Sequence, residues 1–368
     1  MHPELFPLNM EQGYTFHDKL PPSAKLPEIR LRRIKVVGTT EVYTIRPSFV
    51  LPYMMGYTND FEKGLLLLNH GVPYWLVTDV CGKDDMFWQR LEVSFGRNSI
   101  VGTTVKDSEN LPENVVADEK HTKNNGEKVY IATTVAQECV LGASVSPSAG
   151  EQDLTESYGR FQTEAQNIAP DYQPKTVNTD GWLSTVNAWK TLFPSITTIL
   201  CFLHSFIKIR SCGKRLGNVY FELCTKVWEV YHATTEEQFD DLLNELFYWS
   251  LTDLPDGPIF EAVLKLCCRF DEFSPAYSFS GSHRTSNMVD RHMDAMNRYL
   301  FAGHYFHGHL ASAEMRIRAW ALIHNFRPYC PRSQQAFSSR AHKLNGSVYH
   351  HHWLHNLLIS SSMAGFRA

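Results

Sequence analysis

The sequence predicts a mixed α/β chain: a five-stranded sheet with flanking helices, interrupted by an all-helical insertion. Three observations lead there. Short apolar runs separated by turn residues fill the stretch from Glu113 to Val145, and two more such runs alternate with helical patterns up to His204. From Ser205 to Val289 only helical periodicity remains. The chain is long enough for this: 368 residues, with 43% apolar and 20% charged side chains, suffice for two or three domains.

Residues 1–28 carry Pro3, Pro7, Pro21, Pro22 and Pro27 without periodicity and read as an irregular arm. The next stretch, 29–50, alternates and is rich in β-branched residues, which predicts a two-stranded hairpin turning near Gly38 and Thr39. Its Arg30, Arg32, Arg33 and Lys35 either track phosphates or keep an edge strand soluble. From Thr58 the pattern gives three short helices, with Thr58 or Asn59 as first cap, Pro73 in the first turn of the second, and Gly82 in a tight turn. This spacing suits a helix-turn-helix module over 58–110. Its candidate recognition helix, Lys83 to Phe95, offers Lys83, Gln89 and Arg90 to DNA and packs on Phe87, Leu91 and Phe95. A trihelical unit that binds nothing has the same spacing.

The runs NVVADEKH, EKVYIATTV and CVLGASV are joined by Asn124-Asn125-Gly126 and by Gln137-Glu138, so they predict three antiparallel strands. A helix from Glu151 to Asn167 follows, with Leu154, Tyr158, Phe161 and Ala165 on one stripe. Then come a fourth strand in KTVNTDGW, a helix from Leu183 to Leu192, and a fifth strand in TTILCFLH. The order β-β-β-α-β-α-β is that of a ribonuclease-H-like fold, in which the first strand is central and the fourth lies beside it in parallel.

In that topology Asp118 and Asp180, each at a strand end, become neighbours. Adjacent carboxylates on a rigid sheet repel unless a cation lies between them, which suits Mg²⁺; alternatively, Asp180-Gly181 simply opens the next helix. Glu119 points to the opposite face by strand alternation. A third acid is expected from a helix in SHRTSNMVDRHMDAMNRYLF, where Asn287, Asp290 and Asp294 share a face. Asp290 is the choice, with Asp294 and Glu314 as fallbacks; the alternative for each is an ion pair with Arg291, Arg298 or Arg318.

These residues resemble a DDE-type transposase of bacterial insertion sequences and are similar to the Mutator-like branch of eukaryotic elements. The resemblance runs from Val115 to about Phe326. It rests on Asp118, the Asp180-Gly181-Trp182 step, the Cys201-x-x-His204 pair, and Asn287-x-x-Asp290-Arg291 leading a basic helix. It implies a ribonuclease-H-like catalytic core over 111–204 and 281–330, the helical insertion at 205–280, a tail at 331–368, and DNA-binding parts before residue 111. It further implies cleavage and strand transfer of transposon ends with two Mg²⁺ or Mn²⁺ ions, Asp118 bridging both, Asp180 holding one and Asp290 the other. The family usually has glutamate at the third position, where this chain has Asp290. Lys120 and His121 lie near this site. Trp182 either stacks on an unpaired base or fills the core, and Arg291 and Arg298 are expected on DNA. A homo-oligomer on double-stranded DNA follows from holding two ends together. The alternatives are a transposase-derived binding protein without catalysis and a structure-selective nuclease of the same fold.

Charge is unevenly placed. The formal total of -4 argues against coating nucleic acid by bulk electrostatics. Yet Tyr220–Ser280 carries twelve carboxylates against three cations, whereas Gly281–Ala368 carries ten Lys/Arg against three acids and holds eleven of the 17 histidines. His304, His307, His309 and His350 to His352 either belong to the cationic DNA-facing surface or are inert. Eight cysteines without a CxxC pair predict reduced thiols. Cys201 and His204 read as structural, since zinc needs four ligands and only Cys212 and Cys224 are near in sequence. No leader or membrane span is legible, so a cytoplasmic, nucleoid-associated protein is expected.

Overall fold

The computed structural model describes residues 5–6, 8–51, 55–213 and 217–363; Pro3 and Pro7 of the arm lie outside them. A small antiparallel sheet comes first, in the order β1 (Tyr14–Lys19), β2 (Arg32–Val36), β3 (Val42–Ile45). The β2–β3 hairpin is the expected one. Strand β1 replaces part of the expected irregular arm. All six of its residues are exposed, so no buried face left an alternating signal in the sequence. Arg33 forks onto Asp18 of β1, and Arg32 covers Phe16 at 4.1 Å, so half of the hairpin's basic set is occupied within the sheet.

Helices α1 (Thr58–Asn69), α2 (Tyr74–Cys81), α3 (Asp85–Phe95) and α4 (Ile100–Thr104) follow. The cap of α1 is Tyr57 rather than Thr58 or Asn59, because the buried Thr58 hydroxyl is drawn to the Phe49 carbonyl and His355. Pro73 caps α2, and Gly82 ends it at φ +73°. Helix α3 begins two residues later than expected. Lys83 sits at φ +66° ahead of it, and Asp84 caps it by accepting from the Phe87 N–H at 2.7 Å. Its buried stripe is Trp88, Leu91, Glu92 and Phe95, with Phe87 only half-buried.

The main sheet is built from β4 (Asn114–Asn124), β5 (Glu127–Ala136), β6 (Cys139–Ser146), β7 (Thr176–Thr179) and β8 (Thr197–Leu200). Its order is β6-β5-β4-β7-β8, antiparallel from β4 to β6 and parallel from β4 to β8. Both hairpin turns use left-handed backbone at the expected residues, Asn125-Gly126 and Gln137-Glu138. Helices α5 (Glu151–Gln166) and α6 (Leu183–Leu192) occupy the expected places, and α5 buries Leu154, Tyr158, Phe161 and Ala165 as its stripe required.

The fifth strand is shorter than expected. It stops at Leu200, so Cys201 follows it and His204 lies on α7 (Phe202–Gly213). Four more helices extend this segment: α8 (Asn218–His232), α9 (Glu236–Asp253), α10 (Pro258–Cys267) and α11 (Phe270–Phe273), before the single turn α12 (Pro275–Ser278). Helices α13 (Asn287–Ala302) and α14 (Leu310–Phe326) return the chain to the sheet. Part of the expected tail folds as α15 (Arg340–Asn345) and α16 (Trp353–Met363).

Three apolar cores result. One lies between the sheet face carrying Val116, Ile131 and Val135 and helices α1, α3, α13, α14 and α16. A second joins Val115, Ala117 and Ala132 on the other face to α5 and α6. The third is internal to α7–α11. Helix α14 is buried on nearly every side, since it is sandwiched between β6 and the N-terminal helices. Among the described residues no helix is long and apolar enough to cross a membrane.

Candidate active site

Strand alternation divides β4 between the two cores. Val116 faces the α13 side, so Asp118 and Lys120 face it too, while Ala117 and Glu119 face α5 and α6. Glu119 therefore lies where alternation placed it: its Oε1 accepts from the Tyr158 and Thr185 hydroxyls, each at 2.7 Å. Burial lifts its carboxyl to about 7, against the pull of those two donors.

Asp180 reaches the Asp118 face through register. Asn114, Val115 and Val116 pair with Thr176, Val177 and Asn178 in parallel; carried two residues on, the register sets Asp118 opposite Asp180. Beyond β7 the chain turns at Gly181, whose φ of +85° admits no ordinary side chain and where a Cβ would meet Leu200 Cδ1 at 2.5 Å. Asp180 Oδ1 accepts from the Trp182 N–H at 2.8 Å, so the carboxylate also shapes the entry to α6. That is the helix-opening reading of the Asp180-Gly181 step. Trp182 is half-buried with its ring 6.1 Å from that of Tyr130.

Asp290 arrives from α13. The start of that helix is fastened to the end of β8: the Ser286 N–H donates to Cys201 Sγ at 3.1 Å, the Cys201 thiol meets Ser286 Oγ at 3.3 Å, and Ser286 Oγ donates to Asp290 Oδ2 at 3.0 Å. Ser286 was not legible as a site residue. Its only signal is its place four residues before Asp290, at the start of the helix.

The electrostatics tie the acids together. Burial raises the Asp118 carboxyl to about 6; the Glu119 N–H opposes this, the charges of Asp180 and Asp290 add to it, and His204 opposes it. None of the three aspartates forms an ion pair among the described residues. Arg291 instead pairs with Glu138 at 2.8 Å and Arg318 with Glu164. Hydrogen bonding to Cys201 raises His204 to about 9. For Cys201 burial pushes upward, but His204 and Ser286 outweigh it and the thiol is lowered. The two lie beside the acids, each shifted toward its charged form by the other.

Other candidates fall elsewhere. Glu314 is removed from the site because α14 packs on β6: it takes the Val145 N–H, the Ser144 hydroxyl at 2.9 Å and Arg160 at 3.2 Å. Asp294 and Arg298 are exposed along α13. Lys83 is exposed, with its ammonium 5.9 Å from the Phe61 and Phe87 rings. Gln89 and Arg90 are exposed and line a groove of about 220 Å³ with Phe306, His307 and Arg316. The rings of His350, His352 and His355 pack against one another in edge-on and tilted contacts, and His352 meets Glu62 at 2.9 Å. All eight cysteines are free. Arg269, from the insertion, comes within 3.2 Å of where a Gly181 Cβ would sit, a neighbour that no sequence pattern announced.

Among the described residues no three His, Cys, Asp or Glu side chains gather closely enough to hold a metal ion. The donor chemistry nevertheless fits a hard divalent cation: carboxylate oxygens, one of them largely buried, without an ion pair to Lys or Arg among the described residues. No protein-family model matches the chain, and no curated protein matches it.

Proposed function

We propose that the chain is a transposase with a ribonuclease-H-like catalytic core, cutting and joining DNA ends by metal-dependent phosphodiester chemistry. One observation carries the reading: the charges of Asp180 and Asp290, from two other elements, act on the largely buried Asp118, and none of the three forms an ion pair among the described residues. The strand order β6-β5-β4-β7-β8, with the first strand central, supports the fold assignment. Exposed Gln89 and Arg90 on the third helix of a trihelical unit support DNA binding before the core.

In this reading Asp118, Asp180 and Asp290 would hold Mg²⁺ or Mn²⁺, which when bound supplies an activated attacking oxygen and charge relief for the leaving one. The protein's own groups position the reaction. Ser286, fixed by Cys201, sets the rotamer of Asp290, and release of that bond frees its second oxygen for the site. Lys120 shares the Asp118 face and attracts the scissile phosphate. Trp182 offers an indole beside Asp180 for an unpaired base.

The test is Mg²⁺-dependent cleavage of DNA bearing the sequences that flank the coding region, followed by covalent joining to a target plasmid. Wild-type chain is expected to do both, and Asp118→Asn to bind the DNA without cutting it. Cutting without joining would identify a nuclease. Binding without cutting by the wild type would identify a DNA-binding protein that has lost catalysis.

A further inference from the structure

The junction of α14 and α15 holds a buried and a half-buried guanidinium with no carboxylate. Arg327, just past α14, is 7% exposed, and Arg340, at the start of α15, is half-buried. Both converge on His324: Arg327 Nη2 lies 3.1 Å from its Nδ1, and Arg340 Nη1 donates to its carbonyl at 3.0 Å. The Arg340 guanidinium also covers the Tyr329 ring at 4.9 Å. Neither arginine forms an ion pair among the described residues. Glu138, the acid that acts on Arg340, is already engaged by Arg291.

Three polar atoms here are buried without a partner: Arg327 Nη1, Arg340 Nε and Tyr329 Oη. A fourth follows from the hydrogen-bond order. A guanidinium only donates, so His324 Nδ1 accepts from Arg327; its Nε2–H then donates to His292 Nδ1 at 2.9 Å, and this leaves the proton of His292 on Nε2, which is also unpartnered. The unsatisfied atoms are thus three N–H donors and a hydroxyl.

Burying an unpaired guanidinium is strongly unfavourable, and unsatisfied donors add to the penalty. Burial and the charges of Arg340 and Arg298 push Arg327 down to about 9, the signature of cations crowded without a counter-charge. A tetrahedral oxyanion meets every requirement: negative charge, several acceptors, and a fit to the guanidinium fork. We propose that Arg327 and Arg340, together with Tyr329, form a binding site for a phosphate group at the α14–α15 junction. The site is independent of the three aspartates and stands whether or not the chain cuts DNA.

The test uses the full chain. Inorganic phosphate at about 10 mM is expected to raise the unfolding temperature by about 2 °C over chloride of equal ionic strength. Arg327→Met and Arg340→Met should lose that rise. A wild type with no phosphate-specific rise, or a rise undiminished in both variants, overturns the site. Should the variants not fold, the phosphorus NMR line of inorganic phosphate decides: saturable broadening by wild-type chain supports the site, and an unchanged line overturns it. Adding a short DNA duplex then separates the sources. Displacement of the phosphate, seen as a sharpened line, marks a backbone phosphate as the occupant, and persistent broadening marks a free phosphate ion.

Discussion

Asp118 and Asp180 each lie two residues beyond the last parallel rung of β4 and β7, formed by Val116 and Asn178, and the charge of Asp180 acts on Asp118. Burial favours the protonated form of the Asp118 carboxyl, and the charge of Asp180 adds to it. The site is held together against local electrostatics.

The first prediction follows from that conflict. Asp118 has its carboxyl raised from 3.8 to about 6, so its contribution to stability is full below pH 4 and is lost as pH rises through 6. Asp118→Asn removes the conflict. It should stabilise the chain by about 2 kcal/mol at pH 8 by chemical denaturation, while lowering Mg²⁺-dependent cleavage by at least about 100-fold. A variant that is destabilised at pH 8 contradicts the geometry, whatever its activity.

Glu119 makes a similar prediction on the opposite face, without catalysis. Its carboxyl is raised from 4.5 to about 7, so the folded chain binds this proton more tightly than the unfolded chain, and stability is lost between those values as pH rises. Glu119→Gln keeps an acceptor for Tyr158 and Thr185. Its unfolding free energy should fall less than that of the wild type between pH 5 and 8, by on the order of 2 kcal/mol. Parallel pH profiles would refute the assignment.

Gly96 reports on the seam between α3 and α14. A Cβ there would fall on the carbonyl of Met315, which is helix backbone and cannot turn aside. Gly96→Ala should destabilise the chain by about 3 kcal/mol in urea unfolding. An unaffected midpoint would mean the two helices are not packed as described.

The exposed pair on α3 is testable by binding alone. Arg90→Ala should weaken duplex DNA binding several-fold and flatten its salt dependence by about one unit of slope, with unfolding unchanged. Undiminished affinity and slope would remove α3 from the DNA face.

Finally, the Cys201–His204 pair should be visible spectroscopically. The ultraviolet thiolate absorbance that appears at lowest pH should vanish in Cys201→Ala and move to higher pH in His204→Gln, because the imidazolium holds the thiol down against burial. An unshifted titration in His204→Gln would break the pairing.

Much of this architecture is local in origin and therefore legible in residue order. Asn125-Gly126 and Gln137-Glu138 fix the hairpins through left-handed backbone, and Leu154, Tyr158, Phe161 and Ala165 fix the buried side of α5 through a period that needs no partner to be read. Alternation alone told Asp118 from Glu119. Strand β1 stayed hidden because a fully exposed strand has no hydrophobic side to betray it.

What only the tertiary structure decided are contacts between segments far apart in sequence. Cys201 and Ser286 are joined across the helical insertion, Arg269 is brought beside Gly181, and Arg327 is buried near the half-buried Arg340 without a counter-charge. No periodicity encodes such meetings. They arise when separate helices compete for the same sheet face and packing settles which polar groups are left inside.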